Sequence, residues 1–429
     1  MKKKYTIFET FVGAGGSHLG FMQQDFETIY VNDINKECLD TLLNNNPSLK
    51  NRAYIDNRDI SLIDIEELKN KLDIEVKHID VFFGGIVCKG FSLAGERSPN
   101  DDRNFLYRKQ LELVRGFMPK LSIIENVPGI LSAKILLPQT PEEIKNEVNI
   151  LWKKLENYKG KKSALRKQNL ITKEFEEEGK ELRKSKEILL KKLLKKGYMV
   201  SVMEDIINVY KEIGYKVSYK ILNSAWYGAA TKRERIIIVA VRDDIDTEFN
   251  FPKPLHMDES IFKKDMDKEL LNLPNPKTVD EALSVLDYSD NSDTDNIPMN
   301  HKKKTVERFK YISEGDNVSN HIDELPEELK ISKFYSRGST MRLMGDKPSP
   351  TLTPGHSNFP IHPREHRSIT VREAATITGF PIDYKFFGTH TKRCEHVGNA
   401  VPPDLAVAIA KQCKKMLDGY YITKGHKND

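Results

Sequence analysis

The sequence predicts an α/β protein built on a doubly wound parallel sheet, and three observations predict it. Over the first 130 residues, short apolar strand patterns alternate with helical ones. Glycines recur where the strand patterns stop. The residues able to do chemistry gather at the same places: the loop FVGAGGSHLGF, Asp33, Cys88 and Glu125-Asn126 all fall at strand ends. In a sheet of this kind, ligands bind beyond the carboxyl ends of the strands.

The elements follow in order. YTIFETFV reads as a strand, followed by glycines and a helix from about Ser17. ETIYVND is a second strand, and NKECLDTLLNNN a helix. IDVFFGG is a strand, RKQLELVRGFM a helix and LSIIENV a strand. From 139 to 197 the composition changes to Lys/Glu-filled helical spacing, with Ile144, Val148, Leu151 and Leu155, then Ile171, Phe175, Leu182, Leu189 and Leu193 at apolar positions. Thr140, Pro141 and Glu143 predict an N-cap, first turn and capping box for this arm, a helical hairpin or coiled coil. The arm suits a solvated insertion, a DNA contact or a partner helix. GYKVSYKILN and RERIIIVAVR resume the sheet. Residues 245–345 lose clear periodicity, and SITVREAATITGFP and DLAVAIAKQCKKML are helices. The expected domains are 1–138 (catalytic and cofactor), 139–197 (basic insertion), 198–244 (catalytic, continued), 245–360 (small second domain) and 361–429 (hinge and returning helix).

Composition excludes several classes. The 429 residues are 38% hydrophobic and 31% charged, enough for a sizeable core. The four cysteines, Cys38, Cys88, Cys394 and Cys413, are scattered, which argues against a zinc site or a disulfide framework and for a reducing cytosol. The amino terminus lacks a signal-peptide pattern, and no apolar run approaches the roughly 18 residues of a membrane span. The net charge of +5 permits a polyanionic partner without requiring one.

Each motif has a physical meaning. Glycines in FVGAGGSHLGF let a ligand approach the backbone. Asp33, about 20 residues on, suits ribose hydroxyls. A dinucleotide fingerprint would place glycine at 18, where this chain has His18, so another adenosine-bearing cofactor is favoured. Asp59-Ile60, placed at the end of a third strand, is suited to an adenine ring or to a plain turn. VFFGGIVCKGFSLAG sets Cys88 among small residues, either as a buried hydrophobe or as a nucleophile at a strand tip. Glu125 is a solvated acid or, if burial raises its pKa, a proton donor. Arg233 and Arg235 share a strand face, fit for an anion, a base edge or surface ion pairs.

Taken together, FxGxGG, the strand-end Asp, GGxxCxGFS, ENV, RxR, REAATITGFP and GNAVPP stand in the order of the DNA cytosine-5 methyltransferase family, which the chain resembles from Phe8 to about Ala410. DDRNFLY, LNSAWYG, DKPSPTLT and HPREHRSITVREAATITGFP also look like family segments. The resemblance implies a methyltransferase sheet that binds S-adenosyl-L-methionine, a smaller target-recognition domain, and double-stranded DNA with a flipped cytosine as substrate. It implies Cys88 as nucleophile at cytosine C6, Glu125 at N3, Arg235 near O2 and Arg233 in support. Phe11, Gly13, Gly15, Asp33, Asp59, Ile60 and Asn399 would line the cofactor pocket. Val87, Lys89, Phe91, Ser92 and Asn126 would face the DNA. No metal is implied. The expected setting is a bacterial cytoplasm, with the chain a monomer in a restriction-modification system beside a cognate endonuclease.

The chain departs from the family pattern at Ile86-Val87, where a proline normally precedes the cysteine, and at Lys89 in place of Gln. Thr231 replaces the leading Gln before the arginines, and Ala229-Ala230 replace Val-Pro. Two other functions compete: an RNA methyltransferase on the same fold, and an inactive DNA-binding paralogue. A nicotinamide oxidoreductase would explain only the glycine loop and Asp33.

Overall fold

Uninterrupted apolar runs make the strands, because the sheet is covered on both faces. All six residues of Leu121–Asn126 are buried, as are eight of the nine in Glu234–Arg242. The computed structural model describes residues 4–86, 98–101, 105–168, 170–290, 292–331 and 338–425. Its strands are β1 Thr6–Thr10, β2 Glu27–Asn32, β3 Tyr54–Asp56, β4 Val81–Gly85, β5 Leu121–Asn126, β6 Lys134–Leu136, β7 Met199–Ser201, β8 Tyr215–Asn223 and β9 Glu234–Arg242. Its α-helices are α1 Gly16–Met22, α2 Lys36–Asn45, α3 Leu49–Arg52, α4 Ile65–Leu72, α5 Leu106–Phe117, α6 Glu142–Lys167, α7 Lys173–Lys195, α8 Val202–Glu212, α9 Val279–Leu283, α10 Lys303–Phe309, α11 Val371–Thr378, α12 His390–Asn399 and α13 Pro403–Gly425.

Seven strands form one sheet in the order β3-β2-β1-β4-β5-β9-β8. Strands β1 to β5 are parallel, with Thr10 opposite Asn32 and Gly84, and Gly85 opposite Glu125. The carboxyl ends of these five strands therefore share one edge. Strand β9 departs from the expected parallel pattern. Its first turn meets the end of β5 through Arg235 and Glu125, and the Arg242 amide donates to the Lys120 carbonyl before β5. It thus runs antiparallel to β5, which delivers its N-terminal arginine to the ligand edge.

Contacts divide the chain into two units. The first comprises 1–85, 117–125 and 218–429; the second comprises 86–116 and 126–217. The first holds the sheet and also residues 245–360, which are therefore not separated from it by contacts. The second extends beyond the 139–197 arm.

In the first unit, α13 binds both edges of the sheet. Near the ligand edge it packs on α1: a Cβ at Gly20 would fall 2.4 Å from the Ala406 Cβ. Only glycine allows that approach. At the opposite edge, the buried Asp80 carboxylate accepts the Tyr421 hydroxyl (2.7 Å) and the Thr6 amide (2.9 Å), and pairs with buried Lys120 (3.0 Å). Asp80→Ala would leave the Lys120 ammonium buried and unpaired. We expect a loss of about 3–5 kcal/mol, read as a lower urea midpoint at neutral pH with an unchanged slope.

Residues 245–360 carry short helices and, among the described residues, only isolated bridges. A small cluster of Phe309, Ile312, Val318, Leu325, Leu329 and Ile361 holds part of this stretch. Arg342 fastens it to the segment beyond. Its buried guanidinium donates to the carbonyls of Phe309 (2.8 Å), Ile312 (2.6 Å), His362 (2.6 Å) and Glu365 (2.7 Å).

In the second unit, α6 and α7 pack around Val148, Trp152, Leu155, Leu189 and Leu193, with Leu136 of β6. Tyr158 stacks on Phe175 at 4.5 Å, and Gly179 makes room for it: a Cβ there would lie 2.2 Å from the Tyr158 hydroxyl. The arm's start differs from expectation. Pro141, with φ −55° and ψ 142°, occupies the N-cap without a side-chain bond, and α6 begins at Glu142. Thr140 is instead buried, with its hydroxyl 3.4 Å from the Tyr198 carbonyl. Burial in this turn outcompetes the capping box.

Candidate active site

The turn after β1 reverses sharply: Phe11 has φ +53° and Gly13 φ +56°. The glycines serve two different ends. A Cβ on Gly13 would meet nothing within 4 Å, so this is a backbone face open to a ligand. At Gly15, whose φ is +92°, a Cβ would fall 2.6 Å from Leu42 and 2.7 Å from the Tyr384 hydroxyl. At Gly16 it would fall 2.1 Å from the Val401 carbonyl. Gly15 and Gly16 are required by packing, Gly13 by neither packing nor contact.

Asp33, just past β2, closes this loop. Its Oδ2 accepts the Gly13 amide and its Oδ1 the Asn35 amide, both at 2.8 Å. Burial pushes its pKa up, opposed by those two amides. Each oxygen keeps a further lone pair for a hydroxyl donor. Ile60 is buried, 5% exposed. Strand β3 ends at Asp56, so Asp59 lies beyond the strand rather than at its end. Its carboxylate caps a short turn, accepting the Ser61 amide (2.8 Å) and hydroxyl (2.7 Å). The strand-end acid is Asp56, held by Tyr30 and Arg58. Asn399 is exposed as the last residue of α12. The two residues after it, Ala400 and Val401, rest on Gly16, which brings GNAVPP back to the glycine loop.

The carboxyl end of β5 carries the second cluster. Glu125 Oε1 pairs with Arg235 Nε at 2.7 Å, and both side chains are about nine-tenths buried. Its Oε2 has no bond among the described residues and lies 3.5 Å from where a Gly85 Cβ would stand. Burial raises the Glu125 pKa, against the pull of Arg235 and Arg233. Arg233 is buried and donates to the Leu352 carbonyl (3.1 Å). The departures before the arginines have a structural use. Thr231 bonds the Pro350 carbonyl (3.1 Å), Lys232 donates its amide to Ser349 (2.7 Å), and Ser349 donates to Ala230 (2.8 Å). The arginine segment is thereby clasped to SPTLT. In the second unit, Asn126 donates to the Ile86 carbonyl at 3.2 Å and fixes the chain just before Val87. Val87, Cys88, Lys89, Phe91 and Ser92 lie outside the described residues.

Sequence reasoning missed several supports. His18 Nδ1 sits 2.8 Å from buried Glu9, with the Thr28 hydroxyl 3.3 Å from both, so the residue that breaks the dinucleotide fingerprint pins α1 to β1 and β2. The Tyr384 hydroxyl donates to the Ala14 carbonyl (2.6 Å) across 370 residues of sequence. The only local hint was an aromatic shortly after GFP.

An open glycine face stands beside a strand-end carboxylate, with a buried Glu–Arg pair on the same sheet edge, in an α/β fold. The chain belongs to the C-5 cytosine-specific DNA methylase family, whose pattern it matches over residues 5–159 and 188–415. It is therefore a DNA methyltransferase acting at cytosine C5. The type II methyltransferase M.Sau96I of Staphylococcus aureus is 28% identical over 427 residues, covering 97% of this chain and 77% of that one. M.MthTI of Methanothermobacter thermautotrophicus is 28% identical over 418 residues, covering 96% and 98%. A protein described as a DNA modification methyltransferase encoded within an E. coli prophage shares the fold with TM-score 0.61 at 21% identity, covering 97% of this chain and 100% of that one. No helix among the described residues is long and apolar enough to cross a membrane.

Proposed function

We propose that the chain methylates C5 of a cytosine flipped out of a specific double-stranded DNA sequence, using S-adenosyl-L-methionine and a covalent bond from Cys88 to C6. The observation that carries this reading is the buried Glu125–Arg235 pair with one carboxylate oxygen left for a base. Cytosine C5 is a weak nucleophile. Addition of the Cys88 thiolate to C6 opens the C5–C6 double bond and places an electron pair on C5. Glu125, its pKa raised, supplies a proton or hydrogen bond at N3, so the ring carries no net negative charge. Arg235 orients Glu125 and, by family likeness, holds the base near O2. Arg233, tied to Leu352, keeps that strand in place. Loss of the C5 proton then restores the double bond as the thiolate leaves C6. A stacked cytosine exposes neither C6 nor N3 to these groups, so the base must leave the helix.

The cofactor supplies an electrophilic methyl group on sulfur. The residues present fit it: the open Gly13 face, the Asp33 oxygens, buried Ile60 and the Phe11 turn suit an adenosine with an amino-acid tail. Asp33→Ala removes a hydroxyl acceptor and the partner of the Gly13 amide. We expect S-adenosylmethionine to bind about ten- to a hundredfold more weakly by calorimetry, with the fold intact by circular dichroism.

Residues 245–360 act as the target-recognition region in this reading. In this reading the enzyme is a bacterial, cytoplasmic monomer that protects DNA beside an endonuclease of the same specificity; the type II names of its relatives support the pairing with an endonuclease. Bisulfite sequencing of DNA from a methylation-free bacterial host expressing the chain tests the reaction. One short motif methylated throughout supports it. A soluble, cofactor-binding protein that leaves every motif unmethylated contradicts it, and cytosine methylation of RNA in the same cells would assign the RNA function instead.

A further inference from the structure

The α6–α7 arm has no part in the chemistry above, and residues 160–187 lie outside the stretches matched to the family. The sequence from 139 to 197 holds 17 Lys/Arg against 10 Asp/Glu, more than the whole excess of a chain whose net charge is +5. The charges come in blocks. Residues 153–167 of α6 hold seven basic side chains and one acid, and residues 183–196 hold seven and one. The helices run antiparallel: Glu147 pairs with Lys192 at 3.0 Å and Lys162 with Glu176 at 3.7 Å. Acids thus meet lysines across the seam. The outer faces differ. Lys153, Lys154 and Lys161 of α6, and Lys184, Lys191 and Lys195 of α7, are exposed, and among the described residues their ammonium groups form no ion pair or hydrogen bond. At 100° per residue each trio falls on one face, turned away from Trp152, Leu155, Leu189 and Leu193.

We propose that the arm is a sequence-independent contact for duplex DNA, in which one of these lysine stripes lies along the phosphates of the substrate outside the methylated sequence. The inference rests on the DNA methyltransferase reading. Charge complementarity selects the occupant: acid-poor lysine stripes suit a regular polyanion, which carries a charge about every 1.7 Å. Lys153 to Lys161 spans about 12 Å of α6 and Lys184 to Lys195 about 17 Å of α7, enough to cover a few successive phosphates of such a backbone. The two stripes face opposite ways, so one straight duplex engages only one of them.

The test uses the full chain and two variants, Lys153/Lys154/Lys161→Gln and Lys184/Lys191/Lys195→Gln, each checked for unchanged S-adenosylmethionine affinity. Binding to a random-sequence duplex is followed by anisotropy between about 50 and 200 mM salt. The expected result is that one triple weakens binding at least tenfold at low salt and flattens the log–log salt slope by about two to three. The other triple should change the slope by less than one. Salt slopes unchanged in both triples overturn the proposal, provided that the wild type methylates plasmid DNA. A wild type that neither binds nor methylates DNA overturns the methyltransferase reading itself. A concentration-dependent dimer abolished by either triple assigns the stripe to a second copy and overturns the DNA contact.

Discussion

Cys88→Ala should reduce methyl transfer to DNA by at least about 10⁴-fold, because in the proposed path its thiolate supplies the electron pair that cytosine C5 lacks. Among the described residues the remaining thiols are unsuited to the task. Cys38, Cys394 and Cys413 are all buried, and burial pushes each thiol pKa up. A thiol held protonated is a poor nucleophile. The variant should keep its S-adenosylmethionine affinity, since the open Gly13 face and Asp33 belong to other strand ends. Single-turnover transfer of a tritiated methyl group separates the chemical step from product release. A Cys88→Ala enzyme with more than about one per cent of wild-type turnover would mean that the addition step is carried elsewhere.

Glu125→Gln should lower turnover by about 10² to 10⁴-fold with little change in DNA affinity. The amide can still face Arg235 and donate a hydrogen bond to N3, but it cannot transfer a proton to the ring. The pH dependence follows from the raised carboxyl pKa. Glu125 is an effective donor while protonated, so activity that depends on it falls as pH rises through the folded-state value, above the ordinary glutamate range. The wild-type profile should therefore show a limb that descends with rising pH, and Glu125→Gln should lose it. A variant that keeps the descending limb at reduced rate would assign Glu125 to holding Arg235 alone.

Much of this site was legible because its signals are local. A strand-end glycine loop, an acid 20 residues on, ENV and RxR each need only a few neighbouring residues to be recognised. Strand runs such as LSIIEN and RIIIVAV declare two-sided burial by their composition. What stayed hidden depends on partners far along the chain. Nothing near Ala14 points to Tyr384, and nothing near Asp80 points to Tyr421. The direction of β9 was invisible because an apolar run reads the same both ways. Its arginine reaches Glu125 only because the strand is reversed. The Thr140 cap failed for a related reason: a tertiary contact with the Tyr198 segment outweighed a local preference. Gly15 and Gly16 matched the cofactor pattern, yet their lack of a side chain is explained by Leu42, Tyr384 and Val401, so the same letters carry two physical causes.

A covalent path through Cys88 to a flipped cytosine can be trapped. Duplexes in which the cytosines are replaced by 5-fluorocytosine are incubated with the chain and S-adenosylmethionine, and the products are resolved under denaturing conditions and mapped by mass spectrometry. Fluorine at C5 cannot leave as a proton would, so the thioether to C6 persists. The expected product is a stable protein–DNA adduct on the peptide containing Cys88, absent from Cys88→Ala and from reactions without S-adenosylmethionine. DNA that is methylated while no adduct forms, or an adduct on any other residue, would contradict it.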